Sequence, residues 1–586
     1  YRKPEPFVPR HLCLEVEERV DYLGRELTPL AEVDVKRAVE RFKAEGVDAV
    51  AICFIHAYAN PEHERRCAEI VHEQWPGVFV SMSHEISKEW REYERTSTVV
   101  LNSYVQPVAD AYIDKLGDAL GESAITKHRY IMQSNGGTAS FERSKQAPIN
   151  MVESGPVAGV MGAAVIGSLI GEPNVISLDI GGTTAKCSLI EKGEVKTTTE
   201  YKIEWSPTTA GYPIKAPVVD IVEIGAGGGS IAWIDAGGAL RVGPKSARAA
   251  PGPACYGQGG TEPTVTDANL IAGRINPDYF LGGEIKVDVE LARTAMTKIA
   301  DALGVSVDDA ALGVIRIANA SMVNALKLVS VRRGHDPREF DMVASGGGGS
   351  MHAAALAAEL QLKRVIVPNV PGHFSAWGML MTDLRNDWVQ TMVARADQAD
   401  PADLNARWAE LEAEATAFFA NEGVAANDII LARAADMRYL GQEHTVKIPI
   451  PSGDLAGQIS SIRERFDSAH QQTYAFSLPN VPIEFVNIRL TGFGRVPKPE
   501  IRPIETAASG DGSHGARKGE RMVNYDALGW HRAAIYERER LGAGAALPGP
   551  AVIEEPAAST IVFPGQTVEV DRYGNLIIST NSQSEA

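Results

Sequence analysis

The amino-acid sequence predicts an α/β protein that ends in a domain rich in β-strands. Over the first part of the chain, apolar runs typical of buried strands alternate with amphipathic helical patterns. In the middle part, glycine clusters lie beside apolar strands or helix starts. After about residue 400, apolar and polar residues alternate as in a half-buried antiparallel sheet.

With 586 residues the chain is too long for one hydrophobic core, and the pattern divides it into three parts. Residues 1–125 contain two helical patterns (32–45 and 61–74), the strands "GVDAVAICFI" and "GVFVSMS", and a long helical pattern. Residues 126–395 hold most of the glycine clusters. Residues 396–586 start with an Ala- and Glu-rich helix and continue with strand segments such as "EHTVKIPI" and "FVNIRLTGF".

The composition excludes several classes of function. A net charge of −18 argues against a nucleic-acid partner, because phosphate binding needs a clustered cationic face. The five cysteines are scattered without a C-x-x-C pair, so we expect neither disulfides nor structural zinc, and we expect a reducing cytoplasm as the location. No long apolar run and no apolar signal core occur, so no membrane association is expected.

The stretch "ISLDIGGTTAK" (176–186) predicts a phosphate-binding turn. An apolar strand delivers Asp179 to a turn in which Gly181 and Gly182 leave the main-chain N–H groups bare, and Thr183 and Thr184 add hydroxyls. Asp179 at the strand end is suited to hold a magnesium ion through water. An ordinary Gly-Gly strand turn is the alternative.

A second loop, in "FDMVASGGGGSMHAAALAAEL", lies between an apolar strand and an Ala-rich helix. Four successive glycines cost chain entropy, about 0.5–1 kcal/mol each relative to alanine, which favours a ligand at this helix start over a flexible linker. The predicted binding residues are Gly346, Gly347, Gly348, Gly349 and Ser350. His352 in the first helical turn either faces the site or packs and caps the helix.

These two loops resemble the phosphate-2 and adenosine motifs of the actin, sugar kinase and heat-shock ATPase superfamily. More narrowly, "REYERTSTVVLNSYVQPV", "SGPVAGVMGAA", "VVDIVEIGAGGGSIAWID", "PGPACYGQGGTEPTVTDANL" and "PGHFSAWGMLMTDLR" are similar to the hydantoinase A and 5-oxoprolinase family. The resemblance runs from about residue 10 to the C-terminus. It implies actin-like (ribonuclease H-like) ATPase halves, followed by the C-terminal β-rich domain.

The resemblance also implies an activity. The family uses ATP to open a cyclic amide (a hydantoin, lactam or 5-oxoproline) or to carboxylate a ketone such as acetone or acetophenone. Phosphorylating the carbonyl or enol oxygen creates a leaving group where none existed. We therefore expect ATP and Mg²⁺, or another divalent metal ion, as cofactors and a B-type subunit as partner. A degenerate nucleotide-binding scaffold is the third alternative.

A third glycine turn matches a family segment that should face the cleft. It carries Gly227 and Gly228, and Asp220 precedes it as a candidate base or second metal contact, with a strand-end carboxylate bonded to main-chain amides as the alternative. Cys255 is expected to be a buried structural thiol, because no basic partner lies nearby in the sequence. Relatives commonly carry an aspartate where this chain has Lys186, so the charge balance at the phosphates is expected to differ.

Family members begin with another D-x-G-G-T loop, the phosphate-1 motif, and the sequence shows none in residues 1–170. We therefore expect that the N-terminal phosphate-1 segment is lacking. Three explanations are open. The segment belongs to a separate small subunit, it lies before Tyr1, or this subunit has ceased to hydrolyse ATP.

Overall fold

The computed structural model describes residues 4–125, 127–199, 201–206, 208–506 and 515–580. They form two compact units, each assembled from separated stretches of the chain. Unit 1 comprises residues 1–154, 197–219 and 382–497, and unit 2 comprises residues 155–196, 220–381 and 498–586. Mixed α/β architecture, as the sequence predicts, is found in both.

Unit 1 begins with alternating helices and strands. The strands Ala49–Ile52 and Phe79–Met82 pair in parallel, as the alternation predicts, because the helix Glu62–Gln74 provides the crossover between them. The long helical pattern is confirmed as Glu92–Glu122. The remaining helices of this unit are Glu32–Glu45, Ser83–Ile86, Phe141–Gln146, Pro401–Asn421 and Ile459–Tyr474.

The predicted antiparallel sheet after residue 400 is also confirmed in unit 1. The strand Ile483–Gly494 lies between Leu384–Arg395 and Ile429–Tyr439 and pairs antiparallel with both. This strand is buried on both faces, not half-buried as the alternation predicts, and one face packs on the helix Pro401–Asn421 through side chains that include Trp408 and Phe419. The other strands of the unit are Arg19–Val20, Glu26–Thr28, Tyr130–Met132, Thr138–Ser140, Thr197–Thr198, Tyr201–Ile203, Tyr212–Ile214, Val218–Val219 and Val446–Pro449.

Unit 2 is built on a mixed sheet. The strand Val175–Ile180 lies near its middle, antiparallel to Ala185–Glu191 and parallel to Asp341–Ser345. On one side the sheet continues from Ala185–Glu191 to Val222–Ile224. On the other side it continues from Asp341–Ser345 to Arg364–Val367. The last strands of the chain extend the same sheet beyond Arg364–Val367: Leu576–Ser579, Thr567–Val570 and Ala546–Pro548.

Helices cover this sheet, and local signals in the sequence fix their ends. Asp288 caps the helix Val289–Leu303 by accepting hydrogen bonds from two main-chain N–H groups, and Gly304 ends it in the left-handed conformation. The other helices of the unit are Ser154–Leu169, Val265–Ile271, Val307–Val329, Gly349–Leu360 and Phe374–Leu380. Further strands are Glu194–Val195, Ser230–Ile234, Leu240–Ser246, Arg517–Asn524, Trp530–Glu537, Ala551–Glu555 and Ala558–Val562.

One segment of the described chain, Val307–Arg333, is long and apolar enough to cross a membrane by length and composition. Half of its most apolar window is buried inside the fold, and core helices of soluble proteins pass the same test. It packs in the main hydrophobic core of unit 2 through residues such as Val314, Met322 and Leu326.

The bounds of the three parts predicted from the sequence do not coincide with those of the two compact units. Residues 382–497 join unit 1 and residues 498–586 join unit 2, so the predicted C-terminal part is divided. The reason is strand pairing over long sequence distances: Leu576–Ser579 pairs with Arg364–Val367, which the hydrophobic pattern of either segment does not reveal. The three-part division stays a prediction about the sequence.

Candidate functional site

Main-chain hydrogen bonds join the three predicted glycine turns of unit 2. The first turn closes through the N–H of Gly181, which donates to the Thr184 carbonyl at 3.0 Å. On one side, the N–H of Gly228 donates to the Gly181 carbonyl at 3.0 Å. On the other side, the N–H of Gly348 donates to the Ile180 carbonyl at 3.0 Å. The structure therefore brings together loops that lie far apart in the sequence.

Close approach of the main chains explains why two of these positions are glycine. A Cβ on Gly227 would lie 2.7 Å from the Gly181 carbonyl oxygen and from the Thr184 nitrogen. At Gly346, φ is +79°, and a Cβ would overlap the Asp179 carboxylate and the Ile180 carbonyl. Any side chain at either position would push the turns apart.

A cavity of about 210 Å³ lies where these turns meet. Bare main chain lines one side of it, from Gly181, Gly182, Gly228, Gly347 and Gly348. Apolar and aromatic side chains, among them Tyr256, Tyr279, Phe280 and Met351, line the opposite side, and residues 554–559 close it. The N–H groups of Gly182 and Gly347 donate to no residue that the structure describes and are suited to phosphate oxygens, and the flat apolar surfaces are suited to an aromatic base.

The remaining predicted loop residues support the cavity without lining it. Thr183 and Thr184 lie in the hairpin turn beside it, and Gly349 begins the helix Gly349–Leu360. Ser350 is fully buried, and its hydroxyl donates to the Ser559 carbonyl at 3.0 Å. Ser350 therefore ties the glycine loop to the strand Ala558–Val562.

His352 lines the cavity but is locked by its neighbours. Its Nδ1 lies 2.7 Å from Asn319 Oδ1, and its Nε2 lies 3.3 Å from Asn269 Nδ2, which donates to it. These contacts place the proton on Nδ1. Burial, and to a smaller extent Arg274, lowers the pKa of His352 to about 3. Of the two alternatives for this residue, the structure favours a neutral packing role.

Asp179 lies behind Gly346, at the end of its strand. It faces Lys186 across the strand pair, and Lys186 in turn forms an ion pair with Glu223 at 3.4 Å. Burial raises the pKa of Asp179, and the positive charge of Lys186 partly opposes this effect. Within the described chain, no side chain or main-chain group donates a hydrogen bond to the Asp179 carboxylate, so a positive charge beside it would be stabilising.

The structure does not bring Asp220 to the cavity. Its carboxylate forms a two-pronged ion pair with Arg333, with one contact of 3.0 Å. Its main-chain carbonyl accepts from the Ser188 hydroxyl at 2.8 Å. This geometry favours a structural ion pair, and the catalytic role of Asp220 stays a prediction.

Cys255 is fully buried, and burial raises the pKa of its thiol. Its main-chain N–H donates to Asp267 at 2.8 Å, and Asp267 also completes a capping box with Thr264 at the start of the helix Val265–Ile271. These findings confirm the expectation of a structural thiol. No cluster of three or more metal-ligating side chains (His, Cys, Asp or Glu) occurs among the residues that the structure describes.

The C-terminal wall of the cavity contains buried carboxylates that the sequence pattern did not predict. Glu554 is fully buried and forms ion pairs with Arg521 at 2.8 Å and Lys518 at 3.2 Å. Burial raises the pKa of the adjacent Glu555 to about 7, although the charge of Arg538 acts in the opposite direction. The available signal was the pair of consecutive glutamates that follows the apolar "PAVI". Neighbouring residues of a strand face opposite sides, so one of the two points to the buried side, and a buried glutamate is rare unless it has a partner.

Sequence comparison identifies the family. The hydantoinase/oxoprolinase model matches residues 95–388, the model of that family's C-terminal domain matches residues 393–578, and the model of its N-terminal region matches residues 1–75. The last match corrects the expectation that the N-terminal segment is lacking, since residues of that region are present.

Three relatives cover nearly the whole chain. An uncharacterised protein of Methanocaldococcus jannaschii is 38% identical over 99% of this chain and 84% of its own length. The alpha subunit of a caprolactamase from Pseudomonas jessenii is 34% identical over 97% of this chain and 82% of its own length. The beta subunit of acetone carboxylase from Xanthobacter autotrophicus is 30% identical over 98% of this chain and 81% of its own length.

Two solved structures resemble the fold. The ATP-dependent caprolactamase from Pseudomonas jessenii superposes with a TM-score of 0.89 at 34% identity, over 99% of this chain and 84% of that chain. A nucleotide-free acetone carboxylase, described for ATP-dependent acetone carboxylation, superposes with a TM-score of 0.77 at 29% identity, over 99% of this chain and 83% of that chain.

Proposed function

Because the chain belongs to the hydantoinase/oxoprolinase family, we propose that it is the ATP-dependent subunit of a cyclic-amide hydrolase. In this proposal, unit 2 is an actin-like half-domain that holds ATP in the cavity between the glycine turns. The γ-phosphoryl group then passes to the carbonyl oxygen of a hydantoin, lactam or 5-oxoproline ring, which makes the ring carbon open to hydrolysis.

One observation carries the nucleotide site: three bare main-chain turns converge on one cavity. The hydrogen bonds from Gly228 to Gly181 and from Gly348 to Ile180 hold the turns in place before any ligand binds. These bonds use the N–H groups of Gly228 and Gly348, and leave those of Gly182 and Gly347, which donate to no residue that the structure describes. Because the turns are already fixed, these two N–H groups lose little freedom when phosphate oxygens bind, which favours a polyphosphate over a neutral ligand. The aromatic wall of Tyr256, Tyr279 and Phe280 then receives the base.

The residues also fit a magnesium ion. Asp179 offers a partly buried carboxylate that accepts no hydrogen bond from the described residues, and Mg²⁺ binds with one or two carboxylates plus water and phosphate oxygens. When bound, the ion neutralises charge on the phosphates during transfer. In this role Asp179 orients the ion, and Lys186 lies across the strand pair, where it adds positive charge near the phosphate side.

The relatives support a cyclic amide as substrate and leave a ketone as the second candidate. The ATP-dependent caprolactamase superposes better than acetone carboxylase, with TM-scores of 0.89 and 0.77. Both relatives are named as subunits, which supports a B-type partner that completes the reaction. The alternative function is the ATP-using subunit of an acetone- or acetophenone-type carboxylase.

Phosphate release tests the proposal. The chain, copurified with its partner, is incubated with ATP and Mg²⁺, once with a lactam or hydantoin and once with acetone plus bicarbonate. Release that depends on the lactam or hydantoin supports the cyclic-amide hydrolase, and release that depends on ketone and bicarbonate supports the carboxylase. Failure of the complex to bind ATP in a calorimetric titration would leave only the scaffold alternative.

A further inference from the structure

A lysine covers one face of an aromatic ring in the wall of the cavity between the glycine turns. Tyr279 lines that cavity, and Lys518 Nζ lies 3.6 Å from the centroid of the Tyr279 ring. Lys518 itself does not line the cavity. The face that the ammonium group covers is therefore not the face that the cavity reaches, and a ligand in the cavity meets the opposite face or the edge of the ring.

A buried carboxylate fixes this lysine. Lys518 Nζ donates to Glu554 Oε2 at 3.2 Å, and the same oxygen accepts from Asn276 Nδ2 at 3.2 Å. Arg521 Nη1 donates to the other oxygen, Oε1, at 2.8 Å. Two cations thus share one carboxylate, and the negative face of the Tyr279 ring gives Lys518 a second electrostatic partner.

The loop that carries Tyr279 is held at a second point. Leu281 and Gly282, in the same loop, have φ of +49° and +68°, and this left-handed conformation is rare for a leucine. A Cβ on Gly282 would lie 3.4 Å from Pro556 Cβ, so the loop packs on the C-terminal wall of the cavity. Strain of this kind persists where the surrounding structure imposes it, and it concentrates at ligand sites. Glu554 and Pro556 of one wall therefore fix the loop together.

Tyr279 differs in this respect from the two other rings of the aromatic wall. Tyr256 and Phe280 pack on each other, with ring centroids 5.5 Å apart and planes tilted by 47°. Of the three rings, only that of Tyr279 has a lysine or arginine over its face within the described chain. A cation on one face draws π-electron density towards itself, so the opposite face attracts an electron-rich purine more strongly. A ring that is already fixed also loses little freedom when a base stacks on it.

From these contacts we propose that Tyr279 is the platform on which the base of the nucleotide stacks, and that Lys518 is a positioning residue that acts through this ring. Glu554 holds the ammonium group against the covered face of Tyr279, and the base lies on the opposite face. The inference deepens the proposed function, because it assigns the recognition of the base to one side chain, and it rests on that function for its ligand.

Calorimetric titrations of the full chain with three probes separate the base from the phosphates. ATP has both parts, inorganic tripolyphosphate has only the phosphates, and adenosine has only the base and the ribose. We expect Tyr279→Leu to weaken ATP and adenosine at least about tenfold, which is the size of a base–aromatic stacking contribution. The affinity for tripolyphosphate should change less than about twofold, and Tyr279→Phe, which keeps the ring, should bind ATP within about threefold of the wild type.

Tyr573→Leu is the matched control for the ring. Arg572 lies over the Tyr573 ring at 4.6 Å from its centroid, so this tyrosine also carries a cation on one face, but it does not line the cavity. The variant should bind all three probes like the wild type. Wild-type affinity for ATP in folded Tyr279→Leu would overturn the platform.

A double-mutant cycle tests whether Lys518 acts through the ring. Lys518→Met removes the charge and should weaken ATP at least about threefold, whereas Lys518→Arg keeps a cation that stacks on rings and should bind within about twofold of the wild type. In the Tyr279→Leu background, Lys518→Met should have no further effect, because the ring through which it acts is gone. Equal losses in both backgrounds would overturn the positioning role.

A control and a second variant keep the cycle decisive. Lys298→Met removes an ion pair with Glu262 of the same 3.2 Å length and should leave ATP binding unchanged. Thermal unfolding identifies any variant that fails to fold. If Lys518→Met does, Lys518→Gln replaces it, because glutamine removes the charge and can still donate to Glu554.

The three probes also distinguish this inference from the proposed function. A chain that binds tripolyphosphate, and binds ATP equally well with and without the Tyr279 ring, retains the phosphate site and loses the platform. A chain that binds adenosine in a Tyr279-dependent manner but no tripolyphosphate retains the platform, and the proposed phosphate site fails instead. A chain that binds none of the three overturns both.

Discussion

The main-chain N–H of Gly348 donates a 3.0 Å hydrogen bond to the carbonyl of Ile180, the residue that follows Asp179. This bond fixes the four-glycine loop against the end of the strand that carries the candidate metal ligand. The parallel pairing of Val175–Ile180 with Asp341–Ser345 sets the register that makes the bond possible. The glycine loop and the carboxylate therefore form one preorganised element.

Gly346→Ala tests this element. We expect it to lower the free energy of unfolding by about 3 kcal/mol or more and to abolish ATP binding, because the new Cβ is strained and overlaps Asp179. Gly171→Ala is the matched control: its φ is also +79°, but nothing lies within 4 Å of the added Cβ. Gly171→Ala should lower the free energy of unfolding by only about 1 kcal/mol and leave ATP binding unchanged. Equal effects in both variants would exclude a role for close packing.

Asp179→Asn should separate stability from activity. Burial raises the pKa of Asp179, so the folded state holds this proton more tightly than the unfolded state. The stabilisation is present below the ordinary pKa of 3.8 and is lost as the pH rises through the folded-state pKa. At pH 7 we therefore expect Asp179→Asn to be more stable than the wild type in chemical denaturation. Substrate-dependent phosphate release should fall about a hundredfold or more. Unchanged phosphate release would refute the metal role.

Glu555 predicts a pH-dependent stability difference. Its pKa is raised from 4.5 to about 7, so its stabilising protonation is complete below about pH 4.5 and is lost as the pH rises through 7. Relative to the wild type, Glu555→Gln should therefore gain up to about 3 kcal/mol of unfolding free energy between pH 4.5 and 8. Denaturant titrations at several pH values measure this gain. The exposed control Glu569→Gln should show no such trend, and a flat difference for Glu555→Gln would contradict the burial effect.

Asp220→Asn tests the ion pair with Arg333. Both side chains are partly exposed, at 27% and 33%, so the pair contributes at most about 1 kcal/mol. We expect a loss of stability of that size and a change in phosphate release below about threefold. Arg333→Gln should give the same loss, and the double variant should lose less than the sum of the two. A large fall in phosphate release for Asp220→Asn alone would restore its role as a base.

The sequence predicted some features well because their signals are local. The helix Glu32–Glu45 and the long helix Glu92–Glu122 show helical periodicity over several turns. The glycine turns at 181–182 and 346–349 are each a few residues long and lie directly after an apolar strand. Both turns were predicted to bind a nucleotide's phosphates or adenosine, and Gly181, Gly182, Gly347 and Gly348 line a common cavity.

Other features were beyond reach because they arise from pairing between distant segments. Asp220 and Arg333 are 113 residues apart, and nothing local indicates that they neutralise each other. The cavity wall at 554–559 belongs to a region that the sequence pattern indicated only as strands. Neither burial nor charge pairing can be inferred from alternation alone.

By itself, the sequence determined which residues have bare main chain, which segments are helical or extended, and the family to which the chain belongs. The tertiary structure alone decided that the three turns are hydrogen-bonded to one another, that Asp220 pairs with Arg333, and that the buried Glu554 pairs with Arg521. The physical reason is that backbone conformation depends mainly on neighbours in the chain. Which charges meet, and which polar atoms stay unpaired, depends on how distant strands and helices pack.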